Sequence, residues 1–169
     1  MTQEFTYRQT FDGDPVTVFA MLRDTEYVQA KCAATGSLES TANVSELGEG
    51  PSGPVTIVST RVLPAQVPAA AKKFVGETIS ATETQEWSAA GSDGSRTAKV
   101  GVDFSGPLSF TGTLSLRPAG HGTEVVTEGT FKASVPLVGG TIESEAAKQT
   151  ARYLGAEERV AAEWQRDCD

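Results

Sequence analysis

The sequence predicts an α+β fold in which a curved antiparallel sheet of about seven strands closes around one long C-terminal helix, with two short helices after the first strand. Three observations predict it. Segments of alternating polarity follow one another from Ser37 to Val135, separated by short Gly- and Pro-rich connections. Connections that short cannot make the crossovers parallel strands need, so the sheet is a meander of hairpins. From Thr141 to Arg166 there is no proline and Gly155 is the only glycine. At about 1.5 Å per residue such a helix runs roughly 39 Å, enough to cross a whole sheet.

Glu4 to Phe11 alternates, with Phe5, Tyr7, Gln9 and Phe11 on one face; this is the period-2 pattern of a half-buried strand. Asp14-Pro15 then changes the period, because Asp caps a helix and Pro is favoured at its first position. A second helical piece, Thr25 to Ala34, ends before Gly36, which suits a left-handed C-terminal cap. The following strands are expected at Leu38–Leu47, Val55–Leu63, Glu77–Trp87, Thr97–Phe104, Leu108–Leu116 and Thr123–Val135. Ala98, Val100, Val102 and Phe104 share one face, as do Phe110, Leu114 and Leu116, so the sheet has a wet side and a side that needs a cover. The terminal helix supplies it: Ile142, Ala146, Tyr153, Val160 and Trp164 fall near one stripe. Ala69 to Val75 reads as a short amphipathic helix between two strands.

At 169 residues the chain has the length of one domain, expected to span 1–169. The formal net charge of −8, from 22 acidic and 14 basic residues, leaves no basic stripe for nucleic acid, whose binding depends on neutralising phosphates. No apolar run approaches the roughly 20 residues of a membrane span. The N-terminal residues have neither a basic nor an apolar leader region, so a cytoplasmic protein is expected. Cys32 and Cys168 are the only cysteines and His121 the only histidine. These are too few for a zinc site or a disulfide framework, and neither a metal nor a cofactor is expected. Cys32 reads as a small buried hydrophobe.

The order of strand, two short helices, antiparallel strands and one long terminal helix resembles the helix-grip fold of the START-like (SRPBCC) superfamily, with its polyketide cyclase-like and plant allergen-like ligand binders. Leu63-Pro64, Val67-Pro68, Lys72-Lys73-Phe74-Val75-Gly76, Trp87 and Val135-Pro136-Leu137-Val138-Gly139-Gly140-Thr141-Ile142-Glu143 resemble an uncharacterised family within it. None of these stretches is a catalytic motif; they mark geometry. The resemblance implies a cavity between sheet and helix for a lipid, sterol, polyketide-like or other flat apolar molecule.

The residues themselves lean the same way. Ala146, Ala147, Ala151, Gly155 and Ala156 are small where the helix should face the sheet, which either leaves volume for a ligand or lets the helix pack close. The candidate cavity residues are Phe74, Glu83, Trp87, Phe104, Phe110, Phe131, Ala146, Gln149, Tyr153 and Glu157. The aromatics would stack on a flat ligand or serve as plain core. Glu83, Gln85, Gln149 and Glu157 would orient a ligand hydroxyl or carbonyl, provided Arg61, Arg152 or water balances a buried carboxylate. Phe74 and Val75 would close over the ligand as a lid, with Lys72 and Lys73 at its polar end.

Three functions stay open: a non-catalytic carrier or sensor of a small hydrophobic molecule, a cyclase- or hydrolase-like enzyme, and an interaction module with a filled core. No catalytic acid–base pair stands out, which favours binding over catalysis. A monomer or weak homodimer is expected.

Overall fold

The structure is a computed structural model and describes residues 2–48 and 50–167, so Cys168 lies outside the described residues. Its elements are β1 (Gln3–Asp12), α1 (Pro15–Leu22), α2 (Thr25–Ala34), β2 (Glu39–Glu46), β3 (Val55–Pro64), α3 (Ala69–Val75), β4 (Thr78–Trp87), β5 (Arg96–Phe104), β6 (Leu108–Ala119), β7 (Gly122–Ala133) and α4 (Gly139–Asp167). The seven strands form one antiparallel sheet in the order β1-β7-β6-β5-β4-β3-β2. From β2 to β7 each strand pairs with the next, with α3 inserted between β3 and β4. The helical pair α1–α2 carries the chain from one edge of the sheet to the other.

Local signals set the helix ends. The Asp14 carboxylate accepts from Thr17 N–H at 2.8 Å with Pro15 at the first helical position. Gly36 takes φ 91° just past α2, a conformation that costs glycine little. The β6–β7 turn has two residues, Gly120 (φ 59°) and His121, with glycine at the first position as a type II′ hairpin requires.

Three boundaries moved by more than one residue. β6 runs on through Arg117 and Pro118 to Ala119, still paired with β7. β7 stops at Ala133: the Ser134 N–H still donates to Pro107 C=O at 2.9 Å, but proline has no N–H to extend the ladder. α4 starts at Gly139, two residues before Thr141. In the linker, Val138 N–H reaches Pro136 C=O at 2.8 Å across Leu137, whose φ is 71°. This is a tight γ-turn with a fully exposed leucine at its tip.

Curvature has a local cause in the glycine pair Gly112–Gly129, opposite each other in β6 and β7. A Cβ on Gly129 would sit 2.4 Å from Thr111 C=O and 2.5 Å from the Phe110 ring. The absent side chains let the strands bend and Phe110 fold across them. Phe5, Phe110 and Phe131 cluster on the concave face with centroid separations of 4.7 to 6.1 Å, Phe5 edge-on to both of the others and Phe110 tilted on Phe131.

The outer face is less wet than alternation implies. Glu124 is 7% exposed, held between Arg8 and Arg117, and Val126 is buried beside it. On the inner face, in line with Ala98 and Val100, Arg96 is buried, donating to the carbonyls of Pro51, Gly53 and Ser88 at 2.8 to 2.9 Å and lying 4.0 Å above the Phe19 ring. It ties two loops to α1.

Candidate ligand cavity

Helix α4 does not sit centrally over the sheet. Its close backbone approaches are to β1, β7 and α2, and polar contacts run along β1. Gln9 donates to Leu154 C=O at 3.0 Å, Tyr7 Oη to Glu158 at 3.4 Å, Thr10 N–H to Glu158 at 3.2 Å, and Gln165 to Asp12 C=O at 2.6 Å. The helix thereby covers the free edge of β1, an edge that would otherwise expose unpaired backbone groups. A Cβ on Gly155 would lie 3.0 Å from Tyr7 Oη, so this small residue serves close approach and not cavity volume. At its start, Glu143 is 1% exposed and accepts from Ala133 N–H at 2.8 Å. It fastens α4 to the end of β7, a role beyond complementing the helix dipole.

With α4 drawn toward β1 and β7, a gap remains toward β3, β4 and β5. Three adjoining chambers lie in it. A polar chamber of 90 Å³ is bordered by Gln9, Lys31, Glu83, Gln85, Trp87 and Glu157 among others. A middle chamber of 90 Å³ lies between Arg61, Ala81, Tyr153 and Glu157. An apolar chamber of 60 Å³ lies between Leu63, Val67, Leu108, Ile142 and Ala146. Phe104 and Thr150 border all three. Each chamber alone is well below the roughly 300 Å³ at which ordinary ligand pockets begin.

The expected site residues divide accordingly. Trp87, Phe110 and Phe131 border the polar chamber; Glu83 and Glu157 border the polar and middle chambers; Tyr153 borders the middle and apolar ones, and Ala146 and Gln149 the apolar one. Phe74 borders none of them. It is 40% exposed with the Lys73 ammonium 5.2 Å from its ring, while Ala71 and Val75 are the buried face of α3. Lys72 meets Glu77 at 3.7 Å. Lys31, Gln9 and Thr150 were missed. Thr150 lies on the 146/150/153/157 stripe, which spacing alone marks out, and Lys31 shares a helix face with buried Tyr27.

The polar groups are ordered. Trp87 Nε1 only donates, so it fixes the Gln85 carbonyl toward itself at 2.9 Å, and the Gln85 amide then donates to Glu83 at 3.1 Å. Across the gap Glu157 is 6% exposed, with Arg61 at 3.8 Å and Lys31 at 4.0 Å. Burial opposes the Arg61 charge, but Glu157, aided by Cys32 and Glu83, leaves its pKa raised. Burial raises the pKa of Tyr153, with Arg61 and Arg152 pulling the other way. Cys32, fully buried under this cluster, is likewise pushed up by burial and is no ready nucleophile.

A family model described as "Protein of unknown function (DUF2505)" matches residues 6–164. This chain belongs to the DUF2505 family. No curated protein matches it. Solved structures share the DUF2505 chain's fold at low identity. The ZhuI aromatase/cyclase from Streptomyces sp. R1128 is 15% identical over 100% of this chain and 97% of its own, with a TM-score of 0.58. TTHA0849 from Thermus thermophilus is 20% identical over 95% and 98%, with a TM-score of 0.57. Ara h 8.0201 is 12% identical over 96% and 99%, with a TM-score of 0.54. These likenesses establish a helix-grip fold for the DUF2505 chain. No described helix is long and apolar enough to cross a membrane.

Proposed function

We propose that this chain binds a small, flat apolar molecule in the gap between α4 and strands β3–β5, as a carrier or sensor. The observation that carries the reading is the off-centre helix, which leaves three adjoining chambers with Phe104 and Thr150 in the walls of all three. In this reading rotation of the Phe104 ring joins them when ligand enters, whereas a core without a ligand gains by closing such space. Phe104 is the residue that moves when ligand enters, and the lid role expected of Phe74 passes to it. In this reading the chain acts as a cytoplasmic monomer or weak homodimer whose charge of −8 favours solubility. Sedimentation velocity tests the oligomeric part: a tight oligomer contradicts it.

Native mass spectrometry of the purified chain, beside a Thr150→Trp variant that fills the junction, tests the binding reading. A small apolar molecule retained by the wild type and lost from the folded variant supports it. Equal retention contradicts it.

A cyclase-like enzyme is the second reading. Its support is that Glu83 and Glu157 border the same chambers, where a carboxylate would move protons on a bound chain. If Glu83→Gln and Glu157→Gln abolish turnover of a bound substrate without weakening its binding, the enzyme reading replaces the carrier.

A further inference from the structure

Glu157 is an unusual carboxylate. It is almost completely buried, it borders two chambers, and both cations nearest to it stop short. Arg61 Nη2 stands at 3.8 Å and Lys31 Nζ at 4.0 Å, about 1 Å beyond a charge-assisted hydrogen bond. In a partly desolvated site a closed pair is strongly favoured, so the separation needs a cause. Two features hold them apart: α4 is tethered to β1 through Gln9 and Glu158 while Arg61 is carried on β3 across the gap, and the other guanidinium nitrogen of Arg61 points to Thr35 Oγ1 at 3.5 Å. No atom fits on the line between the two ions, but the middle chamber beside them is bordered by both Arg61 and Glu157, and one small polar atom there, about 2.9 Å from each, receives a hydrogen bond from Arg61 and gives one to Glu157.

The charges facing this point come from four elements: Lys31 on α2, Arg61 on β3, Glu83 on β4 and Glu157 on α4. They balance. A carboxylate placed here would meet two carboxylates, and an ammonium would meet an arginine and a lysine. Either leaves a net charge in a poorly solvated site, which is costly. A carbonyl accepts from Arg61 but gives nothing to Glu157. A hydroxyl does both, and Glu83, with one oxygen engaged by Gln85, offers a further acceptor.

We propose that the middle chamber, beside the Glu157–Arg61 pair, seats the neutral hydroxyl of the ligand, an alcohol or phenol, and selects against carboxylates and ammonium ions. This deepens the proposed binding function and rests on it. The apolar body then lies along Phe104 and Tyr153 toward the apolar chamber.

Three probes with one flat body separate the possibilities: 2-naphthol, 2-naphthoate and 2-naphthylmethylammonium, titrated into the full chain by calorimetry at neutral pH. The expected result is 2-naphthol binding at least about tenfold more tightly than either ion. Glu157→Gln makes the cluster net positive and should shift preference toward 2-naphthoate by about tenfold or more. Glu83→Gln should shift it the same way, which keeps the test sound if one variant does not fold. Equal or tighter binding of 2-naphthoate by the wild type overturns the hydroxyl assignment alone, as does an unchanged preference in the folded variants. Absence of binding by all three overturns the ligand-cavity reading, and this assignment with it.

Discussion

Gln9 on β1 donates its amide to the backbone carbonyl of Leu154 in the middle of α4, at 3.0 Å. Gln9 is 6% exposed, so the bond is sheltered from water. It marks the side of the sheet on which the helix rests, and so the side on which it does not. The chambers exist because α4 lies close to β1 and away from β3–β5.

That arrangement predicts opposite outcomes for two tightly placed glycines. Gly129→Ala must push a Cβ into Thr111 C=O and the Phe110 ring, and should cost about 2–4 kcal/mol in denaturant unfolding. Gly155→Ala meets only the tip of Tyr7 and gains helix propensity of about 1 kcal/mol. It should be neutral or mildly stabilising. Equal losses at both positions would contradict the assigned contacts.

Arg96 predicts a large loss from a residue that borders none of the three chambers. Arg96→Met keeps the stem over Phe19 but strands the carbonyls of Pro51, Gly53 and Ser88. A loss of about 3 kcal/mol is expected in chemical denaturation. Arg96→Lys should recover only part of it, because one ammonium cannot reproduce the planar fork.

Acid stability should depend on Glu124. Hydrogen bonds from Arg8 and Arg117 hold its carboxyl below the ordinary glutamate value. A lowered folded pKa contributes stability that is present above the unfolded value of about 4.3 and lost as pH falls through the folded value. Thermal melts of Glu124→Gln across this acidic window should therefore vary less with pH than those of the wild type. Salt should shrink the difference, since both arginine side chains are more than half exposed. A parallel pH dependence in the two proteins would remove Glu124 from the account.

Much of the fold was legible because its signals are local. Asp14-Pro15, Gly36 and the alternation through β5 and β6 each announce their structure within a few residues. The site was legible in its residue types and less so in its burial. Glu83 and Glu157 sit on inward patterns, yet their surroundings depend on Lys31 and Arg61, supplied by other elements. The anchoring role of Glu143 was not legible, because its partner is a backbone N–H at the end of β7. Phe74 belongs to a correctly expected helix, but which face of so short a helix turns inward is decided by its neighbours. The stand-off of α4 depends on side-chain tethers to β1 that no periodicity encodes.

Phe104→Ala should join the chambers permanently. The variant should lose about 2 kcal/mol of stability, less than a fully buried phenylalanine because the side chain already borders empty space. It should also accept larger flat ligands than the wild type, measured as competition against 2-naphthol. Reduced stability with no gain in ligand size would show that Phe104 is core and not a partition.

The central claim is most directly tested by NMR of the labelled chain titrated with 2-naphthol. The account predicts shift changes on both walls of the gap, at Phe104 and Ala81 on the sheet and at Thr150 and Tyr153 on α4, while Tyr7 and Gly155 stay unperturbed. Changes confined to the convex face of the sheet, or none at all, would contradict it.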